Sequence, residues 1–212
     1  MKILVSVFNN LYTDQRVEKF CKTLHENAYQ IEVIGNNWGG NPEMQRTYPF
    51  SRISLQSKKL RFAYLEFQWK LFFELLKKAD RNTILHANDL DALLPNYLVS
   101  KIKGIPLVWD SHEIFTEMPT VTNRWVQHVW RLLENALIRK IKYFITANDS
   151  YANWFETNYK IKKPIVIRNF PQKLESPKNF VENSPKIILY QGTINYSRGI
   201  DKMIEAMQFI EN

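Results

Sequence analysis

The chain has 212 residues, 45% hydrophobic and 24% charged, with a formal net charge of +8. That is enough apolar side chain to bury a substantial core, which excludes a disordered protein, and the single cysteine, Cys21, excludes an intramolecular disulfide. No apolar run approaches the ~20 residues that span a bilayer, and no leader-like segment opens the chain, so the expected location is the cytoplasm or the inner face of its membrane.

Residues 2–8, Lys-Ile-Leu-Val-Ser-Val-Phe, read as a first strand. The turn that follows, Asn9-Asn10-Leu11-Tyr12-Thr13, is built on asparagine, which tolerates left-handed backbone and offers an amide donor. Asp14 is suited to cap a helix over 14–27 that carries Arg16 in its first turn. On that helix Cys21, beside Phe20 and Leu24, reads as a buried thiol. Strands are expected over 30–35 and 51–55, then a helix over 60–79. Phe62, Leu65, Phe67, Trp69, Leu71, Phe72, Phe73 and Leu76 make that helix apolar all round, which suits a core helix or one with an aromatic edge turned to a membrane or a second subunit.

Two strand ends carry the most chemistry. A strand over 83–87 runs into His86, Asn88 and Asp89, and a strand over 105–109 runs into Asp110-Ser111-His112-Glu113, with a helix over 90–103 between them that breaks at Gly104-Ile105-Pro106. An apolar run that turns abruptly polar is how a buried parallel strand delivers side chains to a cleft, and open α/β sheets bind ligands at those ends. Asp89 or Asp91 is expected to cap the intervening helix. A helix over 123–141 spaces Arg124, His128, Arg131, Asn135, Arg139 and Lys142 by three and four residues, with Val126, Val129, Leu133, Ala136 and Leu137 away from that face. Such a face suits solvent or an anionic lipid surface. A strand over 142–147, a helix over 149–159 and strands over 164–168 and 186–190 follow, with a last helix over 199–211. Alternation of this kind predicts the α/β class, a Rossmann-like doubly wound parallel sheet. The domain limits are 1–168, a linker over 169–185 marked by Pro171, Pro177 and Pro185, and the first βα unit of a truncated second domain over 186–212.

Read in order, Asp14-Gln15-Arg16-Val17, the two polar strand ends, Tyr143-Phe144-Ile145-Thr146-Ala147-Asn148, Pro164-Ile165-Val166-Ile167-Arg168-Asn169, Leu189-Tyr190-Gln191-Gly192 and Ser197-Arg198-Gly199-Ile200-Asp201 form a recognisable set. Together they resemble the nucleotide-sugar-dependent glycosyltransferases of the GT-B fold, in particular the retaining family 4 group. The resemblance implies two Rossmann-like domains across a cleft, the first receiving an acceptor and the second holding a nucleotide diphosphate sugar, and transfer of a hexosyl group to a glycan or lipid-linked acceptor. It gives His112 the reacting centre, with Glu113 orienting it or binding an acceptor hydroxyl. Asn9, Asn10, Tyr12, Arg16, His86 and Asp89 fall on the acceptor side, and Gly192, Arg198 and Gly199 in the donor-diphosphate loop. There a guanidinium and backbone amides would take the leaving charge, so no metal and no cofactor beyond the nucleotide sugar as co-substrate is expected.

The chain also departs from the pattern. The first turn lacks glycines, Thr193 stands where relatives carry a base, and the late glutamate pair of the donor domain has no counterpart, so this chain alone is expected to be an inactive portion. In the full-length parent, replacing His112 by alanine is expected to lower turnover strongly and leave stability nearly unchanged. Two other readings stay open: a non-catalytic acceptor-binding or membrane-docking module, and another GT-B enzyme such as a nucleotide-sugar epimerase. An anionic membrane surface and a homodimer through residues 186–211 stay open as partners. Nucleic acid is excluded, since no recognition-helix, zinc-ligand or aromatic strand motif occurs.

Overall fold

A computed structural model of the chain describes residues 1–38, 40, 43–171, 187–192, 194 and 198–210. The chain divides into two compact units, Met1–Asn169 and Phe170–Asn212. In the first, seven strands form one sheet: β1 (Lys2–Asn10), β2 (Gln30–Asn36), β3 (Phe50–Ile53), β4 (Thr83–Asn88), β5 (Leu107–Ser111), β6 (Tyr143–Thr146) and β7 (Ile165–Val166). Their order is β3-β2-β1-β4-β5-β6-β7, and every pairing is parallel. The direction of winding reverses at β1 and β4, which opens a crevice at their carboxyl ends.

Five helices connect these strands: α1 (Gln15–Glu26), α2 (Leu60–Lys78), α3 (Asp89–Lys103), α4 (Trp125–Leu137) and α5 (Asp149–Tyr159). Asp14 caps α1 as expected, its carboxylate accepting the Val17 N–H at 3.0 Å. Cys21 is buried on that helix, and burial with the charges of Glu18 and Asp14 pushes its thiol well up, so it stays protonated. Helix α1 closes one core with Ile3, Val5, Ile31 and Val33. The larger core lies on the other side of the sheet, where Phe67, Leu71 and Leu75 of α2 and Leu90, Leu93 and Val99 of α3 meet Leu4, Leu85, Trp109 and Phe144. Truncating one of these leucines to alanine typically costs about 2–5 kcal/mol.

The break after α3 forms as the residues require. Gly104 adopts φ 64°, a left-handed cap, and the Ile105 N–H closes on the Ser100 carbonyl at 3.1 Å. Because Ile105 serves the cap and Pro106 has no N–H, β5 begins at Leu107, two residues later than expected. Neither Asp89 nor Asp91 caps α3: that position belongs to Asn88, whose side chain turns elsewhere.

Helix α2 is a core helix along Ala63, Phe67, Leu71 and Leu75, which are buried, and leaves Phe62, Leu65, Trp69 and Phe73 exposed. Helix α4 corrects one. It is shorter, ending in a 3-10 turn (Ile138–Lys140), and Val129 and Ala136 lie outward with Trp125 and Leu132 instead of away from solvent. Arg131 of the expected cationic face is engaged by Glu117 at 2.7 Å, and the Arg139 Nε–H points at the Tyr159 carbonyl at 3.3 Å.

In the second unit, α6 (Ile200–Ala206) continues as a 3-10 turn (Met207–Phe209), ending short of residue 211. Ile187 to Tyr190 form no strand, contrary to expectation: a strand exists only through the ladder it shares, and no described residue pairs with them. Most of the expected linker, with Lys186, Thr193 and Ser197, lies outside the described residues. Among the described residues no helix is long and apolar enough to cross a membrane.

Candidate functional site

The crevice at the carboxyl ends of β4 and β5 gathers side chains that the strand period places on one face. His86 and Asn88 are two residues apart, as are Asp110 and His112, so all four point to the side of the sheet that α1 covers. From α1, Arg16 reaches across: one guanidinium nitrogen meets Asp110 Oδ1 at 2.7 Å, and the other donates to the Ile167 carbonyl at 2.8 Å. With side-chain exposures of 11% and 2%, Arg16 and Asp110 form a buried pair.

His112 sits in a cage of acceptors. Its backbone N–H donates to Asp89 Oδ1 at 2.8 Å, and its ring Nδ1 faces Asp89 Oδ2 at 3.3 Å. The Asn88 amide nitrogen donates to the Ser6 carbonyl at 3.1 Å, which turns its Oδ1 to the ring Nε2 at 3.1 Å. Asp110 Oδ2 lies 3.6 Å from the same nitrogen. Both ring nitrogens thus face oxygen acceptors, a geometry that asks for two ring protons.

The electrostatics agree. Burial alone would lower the His112 pKa, but the charge of Asp89 and the hydrogen bond and charge of Asp110 outweigh it, and the net direction is up. For Asp110, burial opposes ionisation, yet His112 and then Arg16 hold the carboxyl down at about 2. Burial pushes Asp89 up to about 6 against the pull of His112, so at neutral pH it still carries its charge. Next to it Asp91, buried and close to the Asp89 charge, is pushed well up. The result is one buried knot in which Arg16 and the His112 ring face the carboxylates of Asp110 and Asp89.

Asp89 reaches this position through its backbone, which holds φ 59°, a left-handed conformation that aspartate tolerates at a cost of about 1 kcal/mol. Replacing Asp89 by asparagine keeps the shape and removes the charge. The His112 pKa should then fall toward the ordinary imidazole value, read as the pH midpoint of its ring proton shifts in NMR; an unmoved midpoint would assign the whole upward shift to Asp110.

The other expected residues divide. His86 is 2% exposed and stacked on Phe20 at 4.4 Å; burial lowers its pKa to about 4, so it is a neutral support beneath the site with no open edge for an acceptor. Asn9 donates to Asp14 Oδ2 at 2.9 Å, and Asn10 accepts the Tyr12 N–H at 3.1 Å, so both asparagines shape the first turn. Tyr12 is exposed. Glu113 is also exposed and does not bond to His112; its carbonyl accepts the Ser111 hydroxyl at 2.7 Å. In the second unit Arg198 and Gly192 are exposed, and Gly199 holds φ 64° at the start of α6. A reading of single motifs misses the roles of Asp110, Asn88 and Ser6. The signal for the first two is the two-residue period that aligns Asp110 with His112 and Asn88 with His86.

The family model that describes Glycosyltransferase Family 4 matches residues 14–170, which takes in every element of this knot. The chain belongs to Glycosyltransferase Family 4. Among solved structures, sucrose-phosphate synthase from Thermosynechococcus elongatus is similar over 79% of this chain and 47% of its own, at 11% identity and a TM-score of 0.59. MurG from Acinetobacter baumannii is similar over 81% and 46%, at 12% identity and a TM-score of 0.51. UDP-GlcNAc 2-epimerase from Neisseria meningitidis, bound to UDP-GlcNAc, is similar over 78% and 45%, at 16% identity and a TM-score of 0.52. At such identities the likeness is one of fold, the GT-B type with a Rossmann-like sheet. The Family 4 chain spans about half the length of these three structures. No curated protein matches it.

Proposed function

We propose that this Family 4 chain supplies the acceptor side of a glycosyltransferase that moves a hexosyl group from a nucleotide diphosphate sugar to a glycan or lipid-linked acceptor, with retention of configuration. The observation that carries the reading is the His112 ring held between Asp89, Asn88 and Asp110 at the crevice where the sheet reverses. A ring that keeps both protons is a poor general base. What it offers is fixed positive charge in a buried setting, suited to the oxygens of a donor sugar or to charge on a departing phosphate. Retaining transfer asks for that, because the leaving phosphate can take the acceptor proton itself. Arg16 then keeps Asp110 ionised, and Asp110 and Asp89 keep the ring charged.

A nucleotide-sugar epimerase is the second reading, favoured by the Neisseria meningitidis structure of the same fold. Incubation of an intact protein that carries this chain with nucleotide diphosphate hexoses and acceptor, followed by NMR of the products, separates the two. A new glycosidic linkage with the donor anomer retained supports transfer; an epimerised donor with no acceptor consumed overturns it. The 212-residue chain itself is expected to bind nucleotide sugars only weakly, since Arg198 alone cannot replace contacts to the ribose and base. Micromolar affinity by calorimetry would contradict that. Self-association through residues 186–211 belongs to the same proposal, motivated by the exposure of Ile187, Leu189, Ile204 and Phe209.

A further inference from the structure

The amino-end edge of the sheet, opposite the crevice, holds a second feature that the reaction does not use. Between the last turn of α3, the 3-10 turn after α4 and the start of β6 lies a pocket of about 160 Å³. Lys101, Lys140 and Lys142 line it, with Tyr97 and Tyr143. The ammonium groups of Lys101 and Lys140 stand 5.5 and 5.9 Å from the centre of the Tyr97 ring, and that of Lys142 stands 5.2 Å from the centre of Tyr143. Among the described residues none of the three lysines has a carboxylate partner. The aromatic faces hold the cations without neutralising them, so the pocket keeps an uncompensated positive charge.

The surface beside it is apolar. At about 100° per residue, Tyr97 and Lys101 lie on one flank of α3 and Leu94, Leu98 and Ile102 follow on the next. Leu94 and Leu98 line a groove against Leu65, Trp69 and Phe72 of α2. Trp69 is 66% exposed and Ile102 62% exposed. Large apolar side chains exposed in this number on neighbouring helices mark an interaction surface.

We propose that this surface docks on an anionic phospholipid bilayer, with a headgroup phosphate in the lysine pocket and the α2–α3 groove at the acyl boundary. Charge decides between the two occupants an apolar face could have. A second copy of the chain would pair the patch with itself in a two-fold contact, and since no carboxylate lines either the pocket or the groove, that contact supplies the lysines with no opposite charge. An anionic bilayer meets the same lysines with opposite charge and meets Trp69, Leu98 and Ile102 with its apolar layer. The cations of α4 are a weaker candidate, because Arg131 is already engaged by Glu117 and Arg139 faces the Tyr159 carbonyl. The inference does not rest on glycosyl transfer, since its readout needs no nucleotide sugar.

Flotation of the full chain with vesicles tests it. Binding is expected to phosphatidylcholine vesicles that contain phosphatidylglycerol and not to phosphatidylcholine alone, weakening as salt rises. Lys101→Gln with Lys140→Gln and Lys142→Gln should weaken binding about a hundredfold, at about fivefold per lysine. Trp69→Ser with Leu98→Ser should also release the chain while the lysines remain. All five positions are exposed, so melting curves should match the wild type. Equal flotation of the lysine variant, or no flotation of the wild type, overturns the proposal. Sedimentation showing a dimer that Trp69→Ser and Leu98→Ser dissolve, with no vesicle binding, would assign the face to a second copy instead.

Discussion

Replacement of Arg16 by methionine is expected to lower the unfolding free energy by about 3–5 kcal/mol, the range for breaking a buried ion pair from one side. Asp110 is 2% exposed and would keep only His112, at 3.6 Å, in place of the guanidinium at 2.7 Å. The same change frees the Ile167 carbonyl that Arg16 bonds just after β7. Against a total stability of about 5–15 kcal/mol the loss is large enough to shift a urea midpoint clearly. An acid limb should move with it. The folded pKa of Asp110 is depressed to about 2, so its contribution is present above the unfolded value near 3.9 and lost as pH falls through the folded one. Without Arg16 that pKa rises, and acid unfolding should begin at higher pH. Adding Asp110→Asn should recover part of the stability at neutral pH, because the unpaired charge goes with it. A loss below about 1 kcal/mol would mean the pair behaves as a surface one.

The parts of this chain that could be read in its residues are those governed by neighbours in sequence. Asp14 caps α1 because an aspartate before Val17 can satisfy the amide there, and Gly104-Ile105-Pro106 ends α3 because only glycine takes that cap easily and proline cannot extend the helix. The buried stripe of α2 follows from four-residue spacing. What escaped was set by distance. Arg16 could be assigned to cleft or surface only once β5 was beside α1, since Arg16 and Asp110 are 94 residues apart. The left-handed turn at Asp89 has no signature in Asn88-Asp89-Leu90, yet it swings the carboxylate under His112. Expecting Asp89 as a cap was reasonable from propensity and failed because the histidine is a stronger partner than a helix amide. Residues 187–190 read as a strand by composition, but strand formation depends on a partner that composition cannot supply.

Changing His112 to glutamine should separate charge from shape at the centre of the knot. Glutamine can still reach Asn88 and Asp89 with its amide, but it cannot be cationic. If the proposed transfer is carried by the His112 charge, turnover of an intact transferase that carries this chain, given nucleotide sugar and acceptor, should fall about 10²–10³-fold, the scale for losing one preorganised electrostatic group. Stability will not stay unchanged, contrary to the expectation from sequence, because Asp89 and Asp110 lose a shared cation. The pH dependence identifies the cause. His112 has a folded pKa raised above its unfolded value near 6.5, so its contribution is complete below that value and is lost as pH rises through the folded pKa. His86, held at about 4, has finished its change below that window, while Asp89, pushed up to about 6, overlaps its lower end. The part of the decline that belongs to His112 should therefore be lost in the glutamine variant, leaving the Asp89 part, which moves to higher pH because His112 no longer holds that carboxyl down. Loss of the His112 part of the decline with unchanged turnover would make His112 a structural ion-pair partner, whereas lost turnover in a folded variant gives it the reacting centre.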